Sequence, residues 1–466
     1  MCQGLRHRGH TEFNEVHTPM SGAMARRRLL ALGGGLALTG ALAACSSPLA
    51  SGLTGSQPNT ADVIFWNLFT GGDGANMVLM EDRFRKTHPG TSVEATVLAW
   101  GNPYYTKLAL ATASGTPPDV GIVHLSRLPL LAASELLDPI EKAGLGELGI
   151  TEDKFTPAAW RKATVDGTVY AVPLDTHPFV LYYNVDLARR AGLLNAAGDG
   201  LTPLKGKEDF LAAVKAMKTA GGAQYGAVMS VIADPSTAWR YFSMIYSGLA
   251  GPVVTDSGTR IALDTEAVQE TVAFMQSLTA DGLMPGELNG SGANALFSTG
   301  KAGFLFDGEW QIPAYRQVKG LRFDVVPFPA LLGPEPVAYA DSHALVLPRN
   351  GRRSGTRTRD AAQFIKSLLD NSAVWAEGGH IPAWLPTQRS RAFLDQSPQR
   401  NYVQAAFDAR YDPEAWYTGA GSDFQSVVGG TIIEAIAGRL SPKAAVAGLR
   451  SDLKRFTTAR PPVTMK

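Results

Sequence analysis

Tryptophans, histidines and carboxylates recur at the ends of short β-rich runs in this sequence, and one further tryptophan opens a helical segment. Trp66 closes VIFW (63–66), His124 follows GIV (121–123), and Gly308, Glu309 and Trp310 come just after FLF (304–306). Asp175 and His177 stand in LDTHP, Ser342 and His343 in ADSHALVLP, and Trp239 opens TAWRYFSMIY. Flat aromatic rings among short polar groups suit a solute with apolar C–H faces and a hydroxylated rim, which is the description of a sugar ring. These ten positions are the candidate ligand contacts.

Other chemistries find less support. Asp307 and Glu309, two apart on an extended segment, share a face and offer the acid and nucleophile of a glycan-acting hydrolase, but nothing in the sequence marks a perturbed environment for them. His124, His177, His343 and His380 are four of the five histidines after Cys45, which raises a metal-binding receptor as an alternative. None is paired at the local spacings of metal helices or fingers, so no metal ligand is assigned. STGKA (298–302) lacks the leading glycine and the closing serine or threonine of a phosphate loop, and no Gly-x-Ser-x-Gly elbow is present. The expectation is therefore a protein that is not an enzyme and has no cofactor.

The body of the chain carries no lysine- or arginine-rich run, and the formal net charge is +1, which gives no field to attract nucleic acid. The only cysteines, Cys2 and Cys45, lie in the first tenth of the 466 residues, so no disulfide framework holds the body. Arg26, Arg27 and Arg28 precede sixteen uncharged, mostly apolar or small residues (29–44), too short a run to span a bilayer and laid out as an export signal. ARRRLLA resembles a twin-arginine signal, and Leu42-Ala43-Ala44-Cys45 resembles a lipobox. Cleavage before Cys45 and lipidation of its sulfur would anchor the protein to the outside of the membrane. Loss of residues 1–44 removes five arginines and two glutamates and moves the formal net charge to −2. The polar, proline-punctuated stretch behind Cys45 reads as a flexible tether (45–61).

The elements that must position the candidate residues start at Asp62. A strand at 63–66, a helical segment ending before His88-Pro89-Gly90, and a second strand at 92–98 begin a parallel α/β sheet. Phe210, Val214 and Met217 form one helix face before Gly221-Gly222; Val268, Val272 and Met275 form another after Asp264. Ser441 and Pro442 start a last helix whose apolar stripe is Val446, Leu449, Leu453 and Phe456. Tyr182 and Tyr183 are expected in a strand with one ring facing the core, and Asp119 is expected to serve a turn or cap.

Several strings, in order, resemble the family of extracellular solute-binding proteins that includes maltose-binding protein. They are ATASGTPPDVGIV (111–123), YAVPLDTHPFVLYYNVDLARRAGL (170–193), FSTGKAGFLFDGEW (297–310), FDVVPFP (323–329), ADSHALVLPRN (340–350), AAQFIKSLL (361–369) and IPAWLPT (381–387). The resemblance implies an α/β, two-lobed periplasmic-binding-protein fold of type II with its ligand cleft between the lobes. Lobe 1 is expected from 62–174 plus about 340–385, and lobe 2 from 175–339 plus about 386–466. It also implies a monomeric substrate-binding lipoprotein that hands a sugar, amino sugar or glycerophosphodiester to ABC permease subunits in the cell membrane. By resemblance, Asp175 and His177 fall where a carboxylate meets sugar hydroxyls, and Trp310 falls at a stacking tryptophan. His177 and His343 depart from the maltose receptor and leave the solute open.

Overall fold

The computed structural model describes residues 61–462. The leader, Cys45 and almost all of the tether lie outside the described residues. The body opens as the sequence predicts: β1 (Val63–Asn67), α1 (Gly71–Thr87), β2 (Val93–Val97), α2 (Asn102–Ala113) and β3 (Val120–His124). Both β2 and β3 run parallel to β1. Short strands β4 (Leu137–Asp138) and β5 (Ala171–Pro173) follow, and then a ten-residue strand, β6 (Asp175–Asn184). Next come α3 (Gly206–Lys218), β7 (Tyr225–Val228), α4 (Pro235–Tyr246), α5 (Thr265–Ala280), β8 (Ala302–Gly308) and β9 (Phe323–Val326). The chain closes with β10 (Ala338–Asp341), β11 (His343–Pro348), α6 (Gly355–Asp370), α7 (Ser372–Ala376), β12 (Ile381–Pro382), β13 (Ala409–Arg410), α8 (Asp423–Ile436) and α9 (Pro442–Thr457).

The strands form two main sheets. One has the order β2-β1-β3-β11-β4, with β5 also on β11; the other has the order β13-β10-β6-β8-β7, with β9 and β12 also on β6. Two of the chain's three passages between them are direct, from β5 to β6 through Leu174 and from β10 to β11 through Ser342; the third runs from β11 through α6 and α7 to β12. Asp341 is in register with His177 on the second sheet, and His343 with His124 on the first, so both direct passages converge. One apolar core gathers residues between 63 and 174 with residues between 344 and 384; two others draw on residues between 179 and 456.

Local sequence accounts for the helices that frame this arrangement. Phe210, Val214 and Met217 are wholly buried on α3. The Asp264 carboxylate accepts from the Ala267 N–H at the start of α5, and Ser441 Oγ accepts from the Ala444 N–H at the start of α9. Asp119 is structural, accepting from the Ile64 N–H and pairing with Arg357 at 2.6 Å. The expectation that only one ring of Tyr182-Tyr183 is buried is corrected. All ten residues of β6 are buried, so alternation sends Tyr182 into one core and Tyr183 into another.

Candidate functional site

Where the two passages converge lies a cavity of about 260 Å³. Its lining draws on the loop after β1 (Leu68, Phe69 and Thr70), on Asp73 of α1, and on Trp100 beyond β2. His124 ends β3, and His177 and Phe179 share a face of β6; Arg240, Trp310, Tyr339, Asp341, His343, His380 and Ala420 complete the wall. Most of these positions are strand ends and the loops that follow them, where α/β sheets place ligands.

The floor is organised around Asp175, which is wholly buried. Its Oδ1 accepts from the His343 backbone N–H at 2.8 Å and lies 3.1 Å from His177 Nδ1; its Oδ2 accepts from the Trp375 indole at 2.6 Å and lies 2.7 Å from His343 Nδ1. Burial pushes the Asp175 carboxyl up, but the His343 and His177 imidazoles outweigh it and hold the group well below the usual carboxylate range. Burial, with His343 nearby, takes His177 down to about 3, and burial likewise holds His124 well below its ordinary value, so both are neutral. His124 Nδ1 lies 2.9 Å from the Tyr105 hydroxyl, which orients the ring from behind.

His380 behaves oppositely. Burial disfavours its charge, but Asp73, Glu309 and Asp175 more than compensate and hold it well above the ordinary histidine range, as an imidazolium. It stacks flat on Trp375, with ring centroids 4.4 Å apart and planes 7° apart. The preceding Gly379 has φ +113°, and a Cβ there would meet the Glu309 carbonyl oxygen at 2.4 Å, so only glycine lets this segment bring His380 against Glu309.

The walls are aromatic. Trp310 packs edge-on against Phe179 at 5.4 Å, and Phe69 packs edge-on against His343 at 4.8 Å. The Arg240 guanidinium lies over Phe179 and Tyr339, at 5.7 and 5.9 Å, with no carboxylate partner among the described residues.

Of the ten candidate contacts, His124, His177, Trp310 and His343 line the cavity, and Asp175 lies directly beneath it. The other five do not line it. Trp66 lies within β1, paired to β2 and β3, with Lys107 over its ring, and does not line the cavity. Trp239 is buried in the core, where its indole donates to Asp412 at 2.7 Å; one position on, the helix turns Arg240 into the cavity instead. Gly308 is off the lining, and a Cβ there would fall 2.0 Å from the Trp310 ring, which occupies that side. Glu309 is wholly buried below the lining, and burial pushes its carboxyl up to about 7 against the lowering influence of His380. Ser342 is buried, with its hydroxyl 2.7 Å from that of Tyr411. Asp307 also lies off the lining, so the Asp307 and Glu309 pair does not face the cavity.

Six further lining residues carried a readable signal or none. Trp100 stands two residues beyond the second predicted strand, near its end as Trp66 is at the end of the first, and could have been chosen on a similar rule. Phe69, Phe179, Tyr339, Arg240 and His380 become neighbours only through the fold.

Two α/β lobes with an aromatic-walled cavity between them define a solute-binding protein. The profile of the family "Bacterial extracellular solute-binding protein" matches residues 67–374, and the chain belongs to that family. A putative binding protein of Brucella abortus is 22% identical over 71% of this chain and 78% of its own length. The galactooligosaccharide-binding protein of Bacillus subtilis is 24% identical over 76% of this chain and 82% of its own. Among solved structures, the cyclic alpha-maltosyl-1,6-maltose binding protein of Arthrobacter globiformis has a TM-score of 0.69 at 19% identity, covering 85% of this chain and 98% of that one. The fold is the two-lobed one, and the relatives are binding proteins rather than enzymes. No helix among the described residues is long and apolar enough to cross a membrane.

Proposed function

We propose that the protein is the receptor of an ABC importer and captures a small carbohydrate or carbohydrate-derived solute outside the cell. The observation that carries this reading is the cavity itself: Phe69, Trp100, Phe179, Trp310 and Tyr339 supply flat apolar faces, interleaved with His124, His177, His343, Asp341 and Arg240. That alternation matches a sugar's C–H faces and hydroxyl rim. The carbohydrate-binding names of the Bacillus and Arthrobacter proteins support it. A volume of about 260 Å³ lies just below the range of roughly 300–1,000 Å³ usual for ligand sites, which favours a short solute over a long oligosaccharide.

In this reading residues 62–174 and about 340–385 form one lobe, and 175–339 with about 386–466 the other. The lobes close on the solute through the passages at Leu174 and Ser342. Binding, not catalysis, is the activity, in keeping with an Asp307 and Glu309 pair turned away from the cavity. Export, cleavage before Cys45 and lipidation of its sulfur hold the receptor at the membrane beside its permease.

Melting the purified protein against a panel of mono- and disaccharides, amino sugars and glycerophosphodiesters tests the solute. A true ligand at a hundred times its dissociation constant adds about 2.7 kcal/mol. A panel without a single shift contradicts the reading. For the anchor, Cys45→Ala is expected to move the protein from the membrane fraction to the medium; retention in the membrane contradicts lipidation there.

A further inference from the structure

We propose that Asp175, His177, His343 and His380 form a binding site for one divalent transition-metal ion of the zinc class, set into the floor of the cavity. The proposal does not rest on the carbohydrate reading. Each of the four buried residues offers one donor atom, and these atoms all lie within 4.8 Å of one another. The Nδ1 atoms of His343 and His380 lie 2.7 and 3.4 Å from Asp175 Oδ2, and that of His177 lies 3.1 Å from Asp175 Oδ1. Donors held at about 2.0–2.1 Å around a tetrahedral ion stand roughly 3.3 Å apart, so the closest pair must ease outward and the widest, up to 4.8 Å apart, must draw in to accept one. Three imidazoles and a carboxylate form a donor set that suits Zn²⁺ rather than Mg²⁺ or Ca²⁺, which take oxygen ligands.

A second observation points the same way. Glu309 and His380 are both wholly enclosed, yet neither carboxylate oxygen of the one nor either ring nitrogen of the other has a hydrogen-bond partner. His380 Nδ1 is only 2.9 Å from Glu309 Oε1, so the contact is close but outside hydrogen-bond geometry. A proton-only network accounts for Asp175 with His177 and His343. It leaves the Glu309 and His380 groups in close contact but without a well-formed hydrogen bond, which is costly for a buried ionisable pair. Asp73, Asp175 and Glu309 all approach the His380 nitrogens, at 3.1, 3.4 and 2.9 Å.

The surroundings are those of a metal centre as well. Asp73 Oδ1 lies 3.1 Å from His380 Nε2, the position from which a carboxylate orients a ligating imidazole. The Trp375 indole donates to Asp175 and also stacks on His380, fixing two ligands at once. The ligands come from separated segments. Asp175 and His177 share a face of β6 two residues apart, His343 opens β11 on the other sheet, and His380 precedes β12. The ion would therefore tie both sheets together where the chain passes between them, with His177, His343 and His380 also facing the solute cavity.

The test uses the full chain, stripped with chelator and titrated with Zn²⁺ alone, with metal counted by elemental analysis and the fold followed by circular dichroism. Cys2, Cys45 and three histidines before residue 20 can bind zinc independently, so the deciding quantity is the difference between wild type and variants. His380→Gln and His177→Ala are each expected to lose one equivalent of zinc or to weaken it by about a hundredfold or more. Co²⁺ should give the wild type a tetrahedral visible band of nitrogen and oxygen ligation, distinct from any thiolate charge transfer at Cys2 or Cys45, and absent from both variants. If a variant fails to fold, the wild-type Co²⁺ spectrum decides. A folded wild type that takes up no metal, or uptake unchanged in both folded variants, overturns the proposal. Because zinc is the probe and sugars are titrated separately, its failure leaves the solute reading standing, and the reverse holds too.

Discussion

The floor and the walls of the cavity are held by different physics. Asp175 on the floor accepts from a backbone amide and an indole and touches two imidazoles, so that its neighbours cannot move without leaving a buried charge exposed. Trp310 and Arg240 on the walls are held by packing: the indole rests over Gly308 and against Phe179, and the guanidinium lies over two rings with no ion pair among the described residues. The floor is thus a fixed, polar platform whose loss should cost folding. The walls are adjustable apolar surface whose loss should cost binding.

The largest effect that can break this contrast is Asp175→Ala. Removing one member of a buried charged network costs about 3–5 kcal/mol, which denaturant unfolding would measure. A variant within 1 kcal/mol of wild type would show that the floor does not hold the fold.

Trp310→Ala comes next and separates the two roles in the opposite direction. Binding of the solute found in the panel should weaken by about 2 kcal/mol, roughly thirtyfold, as for a central aromatic anchor. Its melting should change less than for a core tryptophan, whose truncation costs roughly 3–5 kcal/mol. Trp239→Phe is the matching control, since its indole serves Asp412 in the core and the substitution should leave binding unchanged in a calorimetric titration.

These two tryptophans also show how far the sequence could be read. Both strand ends and helix faces were legible, because apolar periodicity and caps are local: Phe210, Val214 and Met217 fall where the pattern puts them. Trp239 was misread because one residue on a helix is a turn of about 100°, and only the packing against Phe424 decides which side faces the core. Gly308 and Trp310 were correctly joined, but the space beside the glycine is taken by the indole. His380 was visible only as an isolated histidine. Its relation to Asp175 and Glu309 spans 205 and 71 positions, and no local spacing records such a distance.

A smaller effect tests the polar part of the wall by pH. Burial raises Asp341 to about 6 despite hydrogen bonds from Ser126 and the Ser342 amide. Its folded form therefore keeps a proton that the unfolded chain has released, so its contribution to stability is present below about pH 4 and is lost as pH rises towards 6. Asp341→Asn should flatten that fall in a series of urea unfolding curves, and an identical pH slope in wild type and variant would contradict it. The smallest expected effect is on folding in Arg240→Gln: with no ion pair to lose, melting should stay within about 0.5 kcal/mol while solute affinity drops. A large loss of stability would mean that the guanidinium supports the walls rather than the solute.

The account rests most directly on where the solute lies, and a crystal structure grown with the sugar or sugar derivative that shifts melting would show it. The expected density lies between the lobes, with one ring face on Trp310 and polar groups within hydrogen-bond distance of His177, Asp341 or Arg240. Density seated elsewhere, such as the crevice beside Trp416 and Phe456, with the histidine-floored cavity holding only water, would contradict it.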